Sequence, residues 1–329
     1  MSSGQEFAVS FADIQLAAER IADQVVRTPV IHAEALGQLV GAELFFKCEN
    51  LQHVGAFKAR GACHAVSQLT QAQAAAGVVA HSSGNHAAAL ARAARLRGVT
   101  AHIVMPHNSS AVKIAAVRAL GVEPRFCEPT AAARQQMADD VVAETGATLV
   151  HPYNDPHVIA GQGTATLELL QQVTDLDVLV VPVGGGGLAS GALLAARQLQ
   201  PGLKVIGAEP AWADDAYRSL KAGSMQPPER FDSVADGLRA PLGSLTWPII
   251  SQLIDDILPV AEDTIRWATQ QSICTGRLVV EPSGAVPLAA VLENPDVFAG
   301  KRVGLMISGG NAEPAVFAEI LAMTPPATV

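Results

Sequence analysis

The sequence predicts an α/β fold with a largely parallel sheet, and three observations carry that prediction. Short β-branched runs (Gly77 to Ala80, Ala101 to Met105, Val178 to Val183, Val303 to Ile307) alternate with Ala-rich segments of helical period. Two of the intervening helices close at glycines suited to a left-handed residue, Asn85 to Arg97 before Gly98 and Ser110 to Leu120 before Gly121. One strand, Val178 to Val183, runs directly into Gly184-Gly185-Gly186-Gly187-Leu188 and a further Ala-rich helix, the strand, loop and helix start typical of parallel sheets.

Taken along the chain, residues 77–150 hold three strand–helix alternations in succession, enough for a small lobe inserted into a larger one made of 1–76 and 151–329. Prolines at Pro106, Pro152 and Pro156 are expected in its loops. With 329 residues, 49% hydrophobic and 16% charged, the chain can bury two modest cores. Its net charge of -9 and lack of a basic run exclude a nucleic-acid surface, which needs a concentrated positive field. Met1 to Ala8 lacks the cationic and apolar pattern of a signal peptide, and no apolar stretch is long enough to span a bilayer, so the expectation is a cytoplasmic protein without a membrane partner. The four cysteines, Cys48, Cys63, Cys127 and Cys274, form no C-x-x-C pair and are expected to be reduced.

Four glycines at the start of a helix let several backbone N–H groups converge beside its partial positive charge, which makes a phosphate cradle without basic side chains. The same residues satisfy a loose dinucleotide fingerprint, Gly184-x-Gly186-x-x-Ala189 with a strand ending at Glu209, so a nicotinamide oxidoreductase stays open at this point. Elsewhere, Gly55-Ala56-Phe57-Lys58-Ala59-Arg60-Gly61-Ala62 sets Lys58 among small and apolar neighbours, which disfavours its charged form and makes the amine a nucleophile. His81-Ser82-Ser83-Gly84-Asn85-His86 leads from a strand into a helix mouth whose amides suit a carboxylate. Ile307-Ser308-Gly309-Gly310-Asn311 puts a hydroxyl at the carboxyl end of another strand.

Together with Arg27-Thr28-Pro29, Ile159 to Thr164, Ala235-Asp236-Gly237, Thr246 to Ile250 and Glu281-Pro282, these segments resemble the fold type II (β-family) pyridoxal-phosphate enzymes, in the threonine/serine dehydratase and serine racemase branch. The resemblance covers nearly the whole chain. It implies a tryptophan synthase β-like fold with two lobes, each a mainly parallel sheet flanked by helices. It also implies pyridoxal 5'-phosphate as cofactor, with Lys58 forming the internal aldimine and removing the Cα proton. Phe57 would pack near the ring and Asn85 would bond its phenolic oxygen. Gly184, Gly185, Gly186, Gly187 and the Leu188 amide would hold the phosphate, and Ser308 would face the pyridine nitrogen. Ser82, Ser83, Gly84, Asn85 and His86 would receive the substrate, with Arg134 as a second contact, and Ser83 is the residue that matches the opposite-face acid of the racemases. The implied reaction is α,β-elimination from L-threonine or L-serine to a 2-keto acid and ammonia. Serine racemisation, or lysis of 3-hydroxyaspartate or phenylserine, stand as alternatives. A neutral serine at the pyridine nitrogen weakens the electron sink and favours elimination over transamination.

Glu209, the Ala213 carbonyl and Asp215 match the racemases' metal segment and would give oxygen ligands to Mg²⁺, Mn²⁺ or Ca²⁺. Family members are commonly dimers, so a homodimer is expected. Tyr153 stands where the racemases have asparagine and Pro241 where they have serine, which implies selection of a different β-substituent.

Overall fold

The computed structural model describes residues 7–82 and 84–324. Ten strands form two sheets: β1 (Val30–His32), β2 (Glu43–Cys48), β3 (Val78–His81), β4 (Ala101–Pro106), β5 (Arg125–Cys127), β6 (Thr148–Leu149), β7 (Val178–Pro182), β8 (Lys204–Pro210), β9 (Asp256–Val260) and β10 (Arg302–Ile307). The larger sheet has the order β1-β2-β10-β7-β8-β9 and the smaller β5-β4-β3-β6. Every pairing is parallel except β1 with β2, as the alternation of strands and helices predicts.

Continuous apolar runs become strands here because both faces of each sheet are covered. In β7, Val178 and Val180 point into one core with Leu305 and Ile265, while Leu179 and Val181 point into another with Leu193 and Ile257. The small sheet repeats the pattern, with Val78 and Ala80 on one side and Val79 on the other. Each fully buried Val, Leu or Ile contributes roughly 1.5–3 kcal/mol, so these alternating layers hold the strand ends in place.

Three helices decide where the chemistry sits. Helix Pro156–Gln172 lies between helix Lys58–Ser67 and helix Gly187–Leu199. A Cβ on Gly161 would fall 2.6 Å from the Cα of Gly61, and one on Gly191 would fall 2.5 Å from the Gly163 nitrogen. These glycines let the backbones touch, so the lysine helix and the glycine-loop helix are both keyed to the same central helix. A buried ion network also fastens the lysine helix. Arg60 clamps Glu49 (2.7 and 2.8 Å) and Glu168 (2.7 and 2.8 Å), and Lys47 reaches Glu168 at 2.6 Å. Removing one member of such a network costs about 3–5 kcal/mol because its partner is left charged and buried.

Local differences from the sequence reading have plain causes. The helix after Ser110 ends at Arg118 rather than Leu120, and Gly121 takes a positive φ of 85° in the turn that follows. Pro106 ends a strand, and Pro156 occupies the first turn of its helix, where a missing N–H costs nothing. All four cysteines are free; Cys48 and Cys63 are buried and Cys274 is exposed. Among the described residues no helix is long and apolar enough to cross a membrane.

Candidate active site

The motifs read from the sequence follow the carboxyl ends of parallel strands: Ser82 to His86 after β3, Gly184 to Leu188 after β7, and Ser308 to Asn311 after β10. That is where open α/β sheets bind ligands. Lys58 opens its helix and donates to the Pro152 carbonyl at 2.7 Å. Burial lowers its amine to about 8, so a far larger share is neutral at physiological pH than for a solvated lysine. Backbone pairing ties Lys58 to the β10 loop. The Phe57 amide donates to the Ser308 carbonyl at 3.0 Å, Ala56 bridges Gly309, and Gly310 donates to the Gly55 carbonyl at 2.9 Å. Ser308, 3% exposed, is thereby fixed beside the segment that carries the lysine.

The glycine loop is more constrained than four permissive residues suggest. Gly186 alone of the four has a positive φ, 87°, and it caps helix Gly187–Leu199. A side chain on Gly184 would strike the Leu238 backbone, and one on Gly185 the Tyr153 ring. Thr246 fastens the loop by donating to the Gly185 carbonyl at 2.8 Å. Among the described residues, none of the N–H groups from Gly184 to Leu188 donates to another backbone group, and all five residues are buried. Unpaired buried donors are costly, and a phosphate would satisfy them.

On the facing side, Gly84 donates to the Ser82 hydroxyl at 3.3 Å and helix Asn85–Arg97 begins. The amides of Asn85 and His86 remain without a backbone acceptor among the described residues. Ser83 lies outside the described residues. Asn85 donates to Glu281 at 2.9 Å and accepts from Asn311 at 2.9 Å. His86 is bonded to the Val150 carbonyl at 2.9 Å, and burial with the nearby Lys58 charge lowers it to about 3, so it is neutral. Arg134, in the first turn of helix Ala131–Thr145, lies near enough to His81 for its charge to add to the burial that lowers that imidazole. Among the described residues, three atoms on this side are buried without a hydrogen-bond partner: His81 Nε2, His86 Nδ1 and Arg134 Nε.

Sequence reasoning missed His151, and it placed Glu281 and Thr246 among the resembling segments without giving either a role. His151 accepts from the Asn154 amide at 2.9 Å through Nδ1, which leaves the ring proton on Nε2, and its ring meets Tyr153 edge-on at 4.5 Å. No local pattern marks it, since its importance comes from the Tyr153 ring lying over Gly185. Pro241 is exposed beside Leu242, whose amide donates to Asp215 at 3.2 Å.

Glu209, Ala213 and Asp215 gather at the end of β8. The two Glu209 oxygens accept from the Ala216 and Tyr217 amides at 3.0 and 2.9 Å, and the side chain is fully buried. Burial, with Asp215 adding, raises Glu209 well above the carboxylate range, and burial raises Asp215 to about 6. Two buried acids within electrostatic reach of each other are a donor set that a hard cation would relieve. Among the described residues no three His, Cys, Asp or Glu side chains converge.

A family model described as pyridoxal-phosphate dependent enzyme matches residues 21–309. The chain belongs to the pyridoxal-phosphate dependent enzymes. It is 48% identical over 304 residues to a beta-hydroxyaspartate dehydratase of Paracoccus denitrificans (92% of this chain, 96% of that protein). It is also 46% identical over 314 residues to a serine racemase of Arabidopsis thaliana (94% and 95%). The crystal structure of a T.th. threonine deaminase superposes with a TM-score of 0.88 at 42% identity, covering 92% of this chain and 99% of that one. This pyridoxal-phosphate enzyme is therefore of fold type II, in the branch of threonine/serine dehydratases and serine racemases, and its relatives are lyases and racemases. The nicotinamide reading is set aside, because the glycine loop belongs to a family defined by another cofactor.

Proposed function

We propose that the protein is an ammonia-lyase that eliminates water from a β-hydroxy amino acid and releases an enamine, whose hydrolysis takes a water back and yields a 2-keto acid and ammonia. The observation that carries this reading is the pairing of the Phe57 amide with the Ser308 carbonyl, which places a neutral hydroxyl residue beside Lys58 on one cleft wall. Pyridoxal phosphate, when bound, supplies a conjugated ring that withdraws electrons from Cα, and a serine partner leaves that pull modest enough to favour loss of the β-hydroxyl. Lys58 would hold the cofactor and take the Cα proton. The unpaired amides of Gly184 to Leu188 would hold the phosphate, Asn85 the phenolic oxygen, and Phe57 one side of the ring. Ser82, Gly84 and His86, with Ser83, would receive the substrate carboxylate. Residues 77–150 would act as the small lobe that brings these groups to the substrate. Glu209, the Ala213 carbonyl and Asp215 would bind Mg²⁺ or a similar cation in a structural role.

Among hydroxy amino acids, we favour 3-hydroxyaspartate over L-threonine and L-serine. The Arg134 Nε, without a partner among the described residues, offers a donor for a second carboxylate, and the Paracoccus relative is a beta-hydroxyaspartate dehydratase. The test is keto acid release by the protein with pyridoxal phosphate and Mg²⁺, across threo-3-hydroxyaspartate, L-threonine, L-serine and phenylserine, with the enantiomer of recovered serine followed in parallel. Oxaloacetate from 3-hydroxyaspartate is expected to exceed the other products. Dominant product from L-threonine or L-serine would return the substrate to that pair, and dominant inversion of serine would make the protein a racemase. No keto acid from any of the four would defeat the lyase reading.

A further inference from the structure

Glu281 is 4% exposed and has no place in the chemistry above. It precedes helix Pro282–Glu293, and its Oε1 lies so close to the Gly309 backbone that a Cβ there would fall 2.3 Å away. The acid reaches past Gly309 to accept from Asn85 Nδ2.

An asparagine amide has two faces, donor and acceptor, and which one meets a ligand is decided by its neighbours. Here the decision can be traced from a fixed point. The Val54 carbonyl can only accept, and Asn311 Nδ2 donates to it at 2.6 Å. The second hydrogen of that same nitrogen goes to Asn85 Oδ1 at 2.9 Å. Asn85 must then turn its nitrogen to Glu281, and one of its two N–H bonds is used there. One N–H remains.

We propose that Glu281 and Asn311 are positioning residues that lock the Asn85 amide so that its remaining N–H faces the cofactor. The proposal rests on the reading that Asn85 bonds the cofactor's phenolic oxygen. It needs Glu281 only as an acceptor. Burial, with Asp236 adding to it against the Asn85 hydrogen bond and Lys113, raises the acid to about 8, so it is largely neutral at pH 7 and a glutamine amide can take its place.

The experiment compares Glu281→Gln, Glu281→Leu, Asn311→Leu and Asn85→Ala, each reconstituted with pyridoxal phosphate. The readouts are the cofactor dissociation constant, the visible absorbance of the bound cofactor, and kcat and KM separately. Thermal unfolding of each variant shows whether it folds. Glu281→Leu and Asn311→Leu are expected to weaken cofactor retention by about five- to tenfold, the worth of one hydrogen bond, and to shift the absorbance in the same direction as Asn85→Ala. Glu281→Gln is expected to keep cofactor affinity and absorbance within about twofold of the parent. If Glu281→Leu does not fold, Asn311→Leu, at the exposed end of the chain of bonds, carries the test. An unchanged Asn85→Ala would remove the premise. A shifted Asn85→Ala beside parental Glu281→Leu and Asn311→Leu would overturn the proposal alone. A Glu281→Gln variant as impaired as Glu281→Leu would also overturn it, because charge rather than acceptance would then matter.

Discussion

The two walls of the candidate site are built by different rules. On the wall carrying Lys58, Ser308 and the glycine loop, side chains and carbonyls are committed: Lys58 to Pro152, Ser308 to Phe57, Gly185 to Thr246. What stays open there is a row of backbone amides. On the wall carrying His81, His86 and Arg134, the open groups among the described residues are mixed, the Asn85 and His86 amides together with side-chain nitrogens of His81, His86 and Arg134. Backbone donors cannot swing and suit a resident group of constant shape, whereas side-chain donors adapt and suit a ligand that comes and goes. On the proposed reading, the row of glycine-loop amides would serve the cofactor and the mixed wall the substrate.

The sharpest break of this division is Lys58→Ala. It should abolish turnover, by about a thousandfold or more, and remove the visible cofactor absorbance; retained turnover would sink the assignment of the whole wall. In the parent apoprotein the rate of cofactor capture should climb with pH and level off near 8, because the neutral amine is the nucleophile and burial has lowered it to that value. An amine of ordinary pKa would keep climbing to about 10. Arg134→Leu tests the other wall. Loss of a carboxylate contact should lower kcat/KM for 3-hydroxyaspartate by about 10- to 100-fold, mostly through KM, and leave cofactor affinity alone. Equal losses for L-serine would show that Arg134 serves the α-carboxylate instead. Gly161→Ala should destabilise the fold by about 1–3 kcal/mol in urea unfolding, since the new Cβ must displace the Gly61 backbone; an unchanged midpoint would mean the helices can part freely. The smallest effect expected is from Mg²⁺, a rise in unfolding temperature of about a few degrees at saturating cation. Glu209→Gln should erase that rise, and an indifferent parent protein would leave Glu209 and Asp215 as a plain acidic cluster.

Most of the cofactor wall was legible in the sequence because strand-to-loop transitions are local events. The Val178 run, the glycines after it and the Ser308 turn are each contiguous, and the parallel sheets then carry their ends to one edge. The Glu281, Asn85 and Asn311 chain was not legible, because it joins residues 196 and 226 positions apart through side-chain atoms. His151 was hidden for the same reason. Even the glycine loop was read for only part of its cause. Its glycines answer to Leu238, Tyr153 and Thr246 as much as to a ligand, and those partners arrive from distant segments. The end of the helix after Ser110 shows the limit at short range, where Gly121 signals a turn without saying how many residues before it the helix stops.

The bare crossings of helix Pro156–Gln172 have a bearing on motion. Gly161 meets the lysine helix and Gly163 meets the glycine-loop helix, two residues apart on one rigid rod. The spacing of the lysine helix and the glycine-loop helix is thus a gauge length set by backbone contacts on one helix. On the proposed placement, an opening that admits substrate would hinge outside that gauge, so access could be altered by engineering without resetting the grip on the cofactor.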